Sequence, residues 1–217
     1  MRRLFVYGVG VLLAVVLISG CTASYDLTKS KFAIQLKGSG KLAIGVQDLR
    51  SFVVDKTKPP AYIGQHPNGG GIMRDAVTRS GKPLAEDMSA ILSPSFVTNG
   101  FKVSRFAIPT LADNPGDIVK QQAAGGYDKI IVLTINKFRS DSWVEVELQW
   151  DLKMSVYDGK GELLAEKDSA GMVEGLKRNF TGALSNGQVQ KALSDKLGLI
   201  FAELINSPEC QKAIVTL

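Results

Sequence analysis

Val144-Glu145-Val146-Glu147-Leu148-Gln149-Trp150-Asp151-Leu152-Lys153-Met154-Ser155-Val156-Tyr157 is the stretch whose reading decides the fold. Apolar residues fill every even position, and mostly charged or amide residues the odd ones. Side chains on a strand alternate faces. This period of two therefore predicts one long antiparallel strand, apolar toward a core and polar toward water or a partner. Asp158-Gly159-Lys160-Gly161 follows as a turn, and Glu162 to Val173 returns as the next strand. Just upstream, Ile130-Ile131-Val132-Leu133-Thr134-Ile135 is continuously apolar and β-branched, the pattern of a strand buried on both faces. Three consecutive strands predict an antiparallel meander.

Farther upstream, Lys41 to Val46, continuing to Asp48-Leu49-Arg50, reads as the first core strand. Lys82 to Asn99 reads as a helix, with Pro83 in its first turn and Leu84, Met88, Ile91 and Leu92 on one face. Pro94 predicts a kink or a division of that helix. Phe101 to Ala107 reads as a strand and Pro115 to Ala124 as a short helix. Both strand–helix–strand units should be parallel, right-handed crossovers. Toward the carboxyl end, Val189, Leu193, Leu197, Ile200 and Leu204 recur at helical spacing, and Ser185 and Gln188 stand at capping-box spacing. Ser207-Pro208 begins a last short helix. The expected fold class is α+β or α/β. It is a mixed sheet of two β-α-β crossovers followed by a three-strand meander, with helices mainly on one face. Between the first strand and the first helix, Asp55 to Gly81 carries Pro59, Pro60, Pro67 and Gly69-Gly70-Gly71. It is expected as a long irregular segment, part of which could form a hairpin with Ala61-Tyr62-Ile63 pairing, and long loops are often functional.

The amino end has its own logic. Arg2 and Arg3 precede an uncharged, mainly apolar run from Leu4 to Ile18, closed by Leu17-Ile18-Ser19-Gly20-Cys21. Its 15 residues suit a secretory signal and are short for a spanning helix. The ending resembles the lipobox of bacterial lipoproteins. That resemblance implies cleavage before Cys21, acyl chains on Cys21, and Leu17, Ile18, Ser19 and Gly20 as the recognition residues. Thr22 in place of aspartate implies the outer membrane, periplasmic face, with the inner membrane as the alternative under a different sorting rule. The expected organisation is a signal over 1–20, a lipidated tether over 21–40 and one domain over 41–217. The order of elements extends the resemblance to the YajG-like family of bacterial lipoproteins. The residues that carry it are Val46-Gln47-Asp48-Leu49-Arg50, Tyr62-Ile63-Gly64, Asn99-Gly100-Phe101 and the helix Leu197 to Asn206.

Composition narrows the chemistry. The chain has 26 Lys and Arg against 21 Asp and Glu, a net charge of +5 that falls to +3 once residues 1–20, with two arginines and no acid, are removed. Such a spread balance is no nucleic-acid footprint. Lys29, Lys31, Lys37 and Lys41 are too sparse for a lipid-binding cluster and read as part of a solvated tether. One histidine, His66, and one cysteine besides Cys21, Cys210, argue against zinc and against a thiol nucleophile. Cys210 is expected to pack in the last helix. Gly81-Lys82 lacks the upstream glycine of a phosphate loop, and Gly69-Gly70-Gly71 lacks the spacing of a dinucleotide fingerprint. Glu145 and Glu147 read as a solvated sheet face. No cofactor and no metal are expected.

One polar set remains: Asp48 and Arg50, two apart on a strand, with Tyr62 and Gly64. The pair reads either as a device that orders the long loop or meets a ligand, or as an exposed strand-end ion pair worth about 0–1 kcal/mol, which is favoured. The expected function is a non-enzymatic envelope lipoprotein, bound to the membrane through Cys21 and to an envelope protein partner. Its contact surface would be the 56–71 loop or the polar face of the 143–157 strand. The alternatives are an auxiliary lipoprotein of an envelope lipid or polysaccharide transporter, and a hydrolase using Asp48, Arg50 and His66.

Overall fold

The computed structural model describes residues 23–67, 71–110, 115–142, 145–177 and 186–215. Among these, eight strands form one sheet: β1 (Ala23–Tyr25), β2 (Lys41–Asp48), β3 (Tyr62–Pro67), β4 (Met73–Thr78), β5 (Lys102–Ala107), β6 (Lys129–Ser142), β7 (Glu145–Asp158) and β8 (Leu163–Lys177). The helices are α1 (Ser51–Val54), α2 (Leu84–Thr98), α3 (Pro115–Ala123), α4 (Asn186–Ile205) and α5 (Pro208–Val215). No helix of the described residues is long and apolar enough to cross a membrane.

β6 organises the sheet. β7 pairs with it antiparallel from Lys129↔Asp158 to Ser142↔Val146, and β8 continues the meander. On its other edge β6 receives two strands end to end. β2 lies parallel along Leu42↔Lys129 to Asp48↔Ile135, and β3 lies parallel at Gly64↔Ser140 and Gln65↔Asp141. β5 adds outside β2, while β4 and then β1 add outside β3. The meander and both crossovers are as the periodicity predicts.

The segment 55–81 departs from expectation. It is not a loop: β3 and β4 form a hairpin that builds a second wing of the sheet. A hairpin here is one of the readings open from the sequence, but its weak period-2 signal leaves the extent unread, because Gly64 and Pro67 interrupt one strand and charged Arg74 and Asp75 the other.

The two crossovers use opposite faces. The chain moves from β2 outward to β5 through α2, then back past β2 to β6 through α3. A right-handed connection that reverses direction must change face. Leu42, Ile44, Val46, Ile131, Leu133 and Ile135 accordingly pack in the main core with Leu84, Met88, Leu92 and Phe96 of α2 and with α4 and α5. Ala43, Ile130 and Val132 point the other way, onto Val119 of α3. Each fully buried apolar side chain of this size contributes about 1.5–3 kcal/mol. α2 runs undivided through Pro94, where a kink or a division was expected. Buried Ile91, Leu92 and Phe96 hold it to the core on both sides of the proline, which outweighs one missing helical hydrogen bond.

Residues 26–40, expected as part of a tether, lie against the body of the domain. Leu27, Ile34 and Leu36 are buried, and Phe32 meets Phe201 edge-on at 5.5 Å. The alternating stretch 32–36 forms no ladder. The Asn206 side chain accepts from Gln35 N (2.8 Å) and donates to Ala33 O (3.1 Å). Gln190 does the same for Asp26, accepting from its N (2.5 Å) and donating to its O (2.6 Å). The side-chain amides of Gln190 in α4 and of Asn206 just beyond its end thus replace strand partners.

Cys210 is fully buried in α5, as expected of a packing residue, and burial pushes its thiol pKa up. A buried, protonated thiol is a poor nucleophile. The native chain should therefore leave Cys210 unmodified by an aromatic disulfide reagent over minutes. In a Cys21→Ala background, urea unfolding should release one reactive thiol, and fast labelling without urea would contradict this packing.

Candidate functional site

The polar set singled out in the sequence meets at one place, the gap on β6 between the end of β2 and the start of β3. β2 leaves β6 after Leu49 N donates to Ile135 O (2.9 Å), and β3 rejoins at Ser140. Between them a bulge near Asn136 and the carbonyl of Phe138 face no strand on that edge. The Arg50 guanidinium fills the gap. Its Nε donates to Asp48 Oδ1 (2.8 Å) and its Nη2 to Asp48 Oδ2 (2.6 Å). Nη2 also donates to Pro60 O (2.8 Å), and Nη1 to Tyr62 O (2.5 Å) and Phe138 O (3.5 Å). All five N–H groups are placed, in the planar fork that only arginine offers. Phe52 covers the guanidinium 5.0 Å from its ring centroid, and Tyr62 meets Phe52 edge-on at 5.1 Å.

Arg50 has no exposed surface and Asp48 is 3% exposed, which corrects the expectation of a surface ion pair. The favoured sequence reading fails because residue spacing shows a shared face but not what covers it. The alternative reading, an ordering device, describes what the pair does: it ties β2, the hairpin and β6 together. Pro60 O also accepts from Leu84 N (3.1 Å), so the same carbonyl holds the first turn of α2. In that turn Asp87 is buried and accepts from Ser80 Oγ (2.9 Å), and burial raises its carboxyl pKa.

Gly64 stands two residues beyond Tyr62 with φ +143°, where β3 presses on β6. His66 lies four residues beyond Tyr62, roughly 13 Å along the strand at about 3.3 Å per residue. It is buried against Ser142 and meets Tyr25 edge-on. The structure therefore brings Asp48, Arg50 and Tyr62 together and leaves His66 apart. The hydrolase grouping of Asp48, Arg50 and His66 does not form. Leu17 to Cys21, Ser185 and Gly69-Gly70 lie outside the described residues.

Sequence reading missed the concave feature beside this clamp. A groove of about 730 Å³ opens at the carboxyl ends of β2 and β5, floored by Asp48 and Pro60 and walled by Glu86 of α2 and Ser104, Arg105 and Phe106 of β5. β2 and β5 are neighbours whose connections leave toward opposite faces. By sheet order the switch point falls between β2 and β6. The groove sits next to it, outside the carboxyl ends of parallel strands, which is the side where open α/β sheets take their ligands. Arg105 is exposed and has no ionic partner among the described residues. The crossover reversal depends on the lateral order of the strands, which the sequence leaves open, and the groove also needs the hairpin, which supplies Pro60. Among the described residues, no three His, Cys, Asp or Glu side chains gather as a metal site.

The other expected contact surfaces fare differently. The 56–71 segment is structural: removing it would delete β3 and two carbonyls that Arg50 needs. The outer face of β7 is a set of internal polar pairs, such as Ser155 Oγ to Glu166 (2.8 Å) and Asn136 to Asp151 (3.3 Å).

No protein-family model and no curated protein matches this chain. Among solved structures, a DUF330 protein from Xanthomonas campestris has a TM-score of 0.52 at 11% identity, covering 84% of this chain and 93% of that one. Lipoprotein GNA1162 from Neisseria meningitidis gives 0.36 at 13% identity, covering 74% and 97%. The PelC dodecamer from Paraburkholderia phytofirmans gives 0.39 at 9% identity, covering 81% and 94%. The first likeness speaks to the fold alone, which the two proteins share. The other two are too distant to carry an argument.

Proposed function

We propose that this chain is a lipid-anchored protein of the bacterial envelope, of the YajG-like kind, that works by binding an envelope partner rather than by catalysis. The observation that carries it is the run from Arg2 through Leu4–Ile18 to Ser19-Gly20-Cys21. Lipidation there would leave the domain on the periplasmic face of the outer membrane. Two or more acyl chains bind firmly, since each buried methylene contributes about 0.8 kcal/mol. The binding surface we assign is the groove between β2 and β5, in place of the loop. It offers an apolar wall at Phe106, an exposed cation at Arg105 and hydroxyls at Ser89 and Ser104.

Growth with an alkyne fatty acid tests the anchor. The wild-type chain should carry the label and move to the membrane fraction. Cys21→Ala should lose both. Equal labelling of the two would end the anchor reading. A photo-crosslinker in place of Phe106 tests the groove. It should give a discrete adduct with one envelope protein, and failure to do so, with the anchor intact, would move the binding surface elsewhere.

A further inference from the structure

The position of β1 says how the domain meets its membrane. Sequence alone suggests a tether of about twenty residues, on which the domain would hang clear of the bilayer. In the structure β1 begins at Ala23, paired to Ala76 at the edge of the sheet. Only two residue steps separate Ala23 from Cys21, a reach of at most about 7 Å. Whatever sits around the start of β1 is therefore pressed toward the headgroups.

The strand directions define that end of the molecule. β1 and β4 run away from it, while β3 and β6 run toward it and finish there at Pro67 and Ser142. Ile72, just before β4, is 57% exposed. Arg74, on β4, is exposed and has no ionic partner among the described residues. A lone exposed isoleucine is ordinary. Beside a cation, at the end where an acyl-bearing residue leaves the sheet, it has the chemistry of the membrane interface. Among the acids there whose side chains are described, Asp75 is engaged by Lys58 (2.6 Å) and Asp141 by Arg139 (2.6 Å), while Glu147 accepts from the Gln149 amide.

We propose that this end, marked by Ile72 and Arg74, rests on the phospholipid headgroups that surround the acylated Cys21. The inference rests on the anchor reading above. The opposite end, with the β7–β8 turn, would then stand roughly 45 Å away, since β7 has 14 residues at about 3.3 Å each.

The test uses the full chain, purified from membranes and reconstituted in phosphatidylcholine–phosphatidylglycerol vesicles that carry nitroxide-labelled lipid. An environment-sensitive fluorophore is attached at Ile72→Cys or, as the distant control, at Leu163→Cys. The label at 72 should lose most of its emission to the nitroxide and the label at 163 almost none. Arg74→Glu should reduce the loss at 72. The mass of the amino-terminal peptide reads acylation separately. No quenching at 72, or equal quenching at both positions, in a chain with acyl mass on Cys21 would overturn the docking and leave the anchor standing. A chain without that mass would overturn the anchor itself.

Discussion

Arg50→Met should cost about 3–5 kcal/mol of folding stability, the range for removing one partner of a buried ion pair. For a domain of this size that lowers the melting temperature by roughly 10 °C. The substitution leaves the Asp48 carboxylate buried without its cation, and strips the Tyr62 and Phe138 carbonyls of their guanidinium donor. Unpaired buried groups are what make such changes severe. Two controls separate the charge from the shape. Arg50→Lys keeps the cation but offers no planar fork, so it should recover only part of the loss. Asp48→Asn combined with Arg50→Met removes the stranded anion, and should be more stable than Arg50→Met alone. Urea midpoints for the three variants decide the matter. A loss below about 1 kcal/mol for Arg50→Met would return the pair to the class of surface ion pairs.

Gly64→Ala is expected to be at least as damaging. A Cβ at this position would lie 1.7 Å from the Ser140 carbonyl oxygen and 2.5 Å from its carbon. Those are backbone atoms of the central strand, so no rotamer change relieves the overlap. The φ of +143° adds conformational strain for any residue with a side chain. Either β3 leaves β6 or β6 distorts along its pairing with β7. The expected loss exceeds about 4 kcal/mol, at the extreme of single substitutions. Gly126→Ala is the matched control. It too has positive φ, +75°, but meets nothing within 4 Å. It should cost only about 1–2 kcal/mol, the ordinary penalty of a left-handed residue. Amide exchange would show the difference directly, with β3 and β4 losing protection in the Gly64 variant and the rest of the sheet retaining more.

The two substitutions also mark the limit of what the sequence discloses. The strands β2, β6 and β7 and the helices α2 and α4 announce themselves through strong periodicity, because each buries a whole face. From their order alone come the meander and both crossovers. The change of face at β5 does not come from it, because it depends on β5 and β6 lying on opposite edges of β2. The wing built from β1, β3 and β4 is silent. β1 has three residues, too few for any period, and β3 meets β6 over only two registered pairs. Its position depends on contacts between residues far apart in the chain, Arg50 with Phe138 and Gly64 with Ser140. Those same residues were visible as an acid and an arginine at a strand end, and a glycine inside an apolar stretch. What they touch was not visible, so the buried clamp read as a surface pair and the groove beside it did not register.

β6 carries a consequence for the order of assembly. β2 with β5, and β3 with β4 and β1, are two strand groups that share no ladder with each other; both wait for residues 129–142. A nascent chain threading out from its amino end presents two patches with open edges, linked at most through Arg50, and no ladder unites them until well over half of its length has followed. Open edges in that interval invite pairing with other chains. The late keystone makes folding nearly all-or-none in chain length: any fragment ending before β6 should remain unassembled.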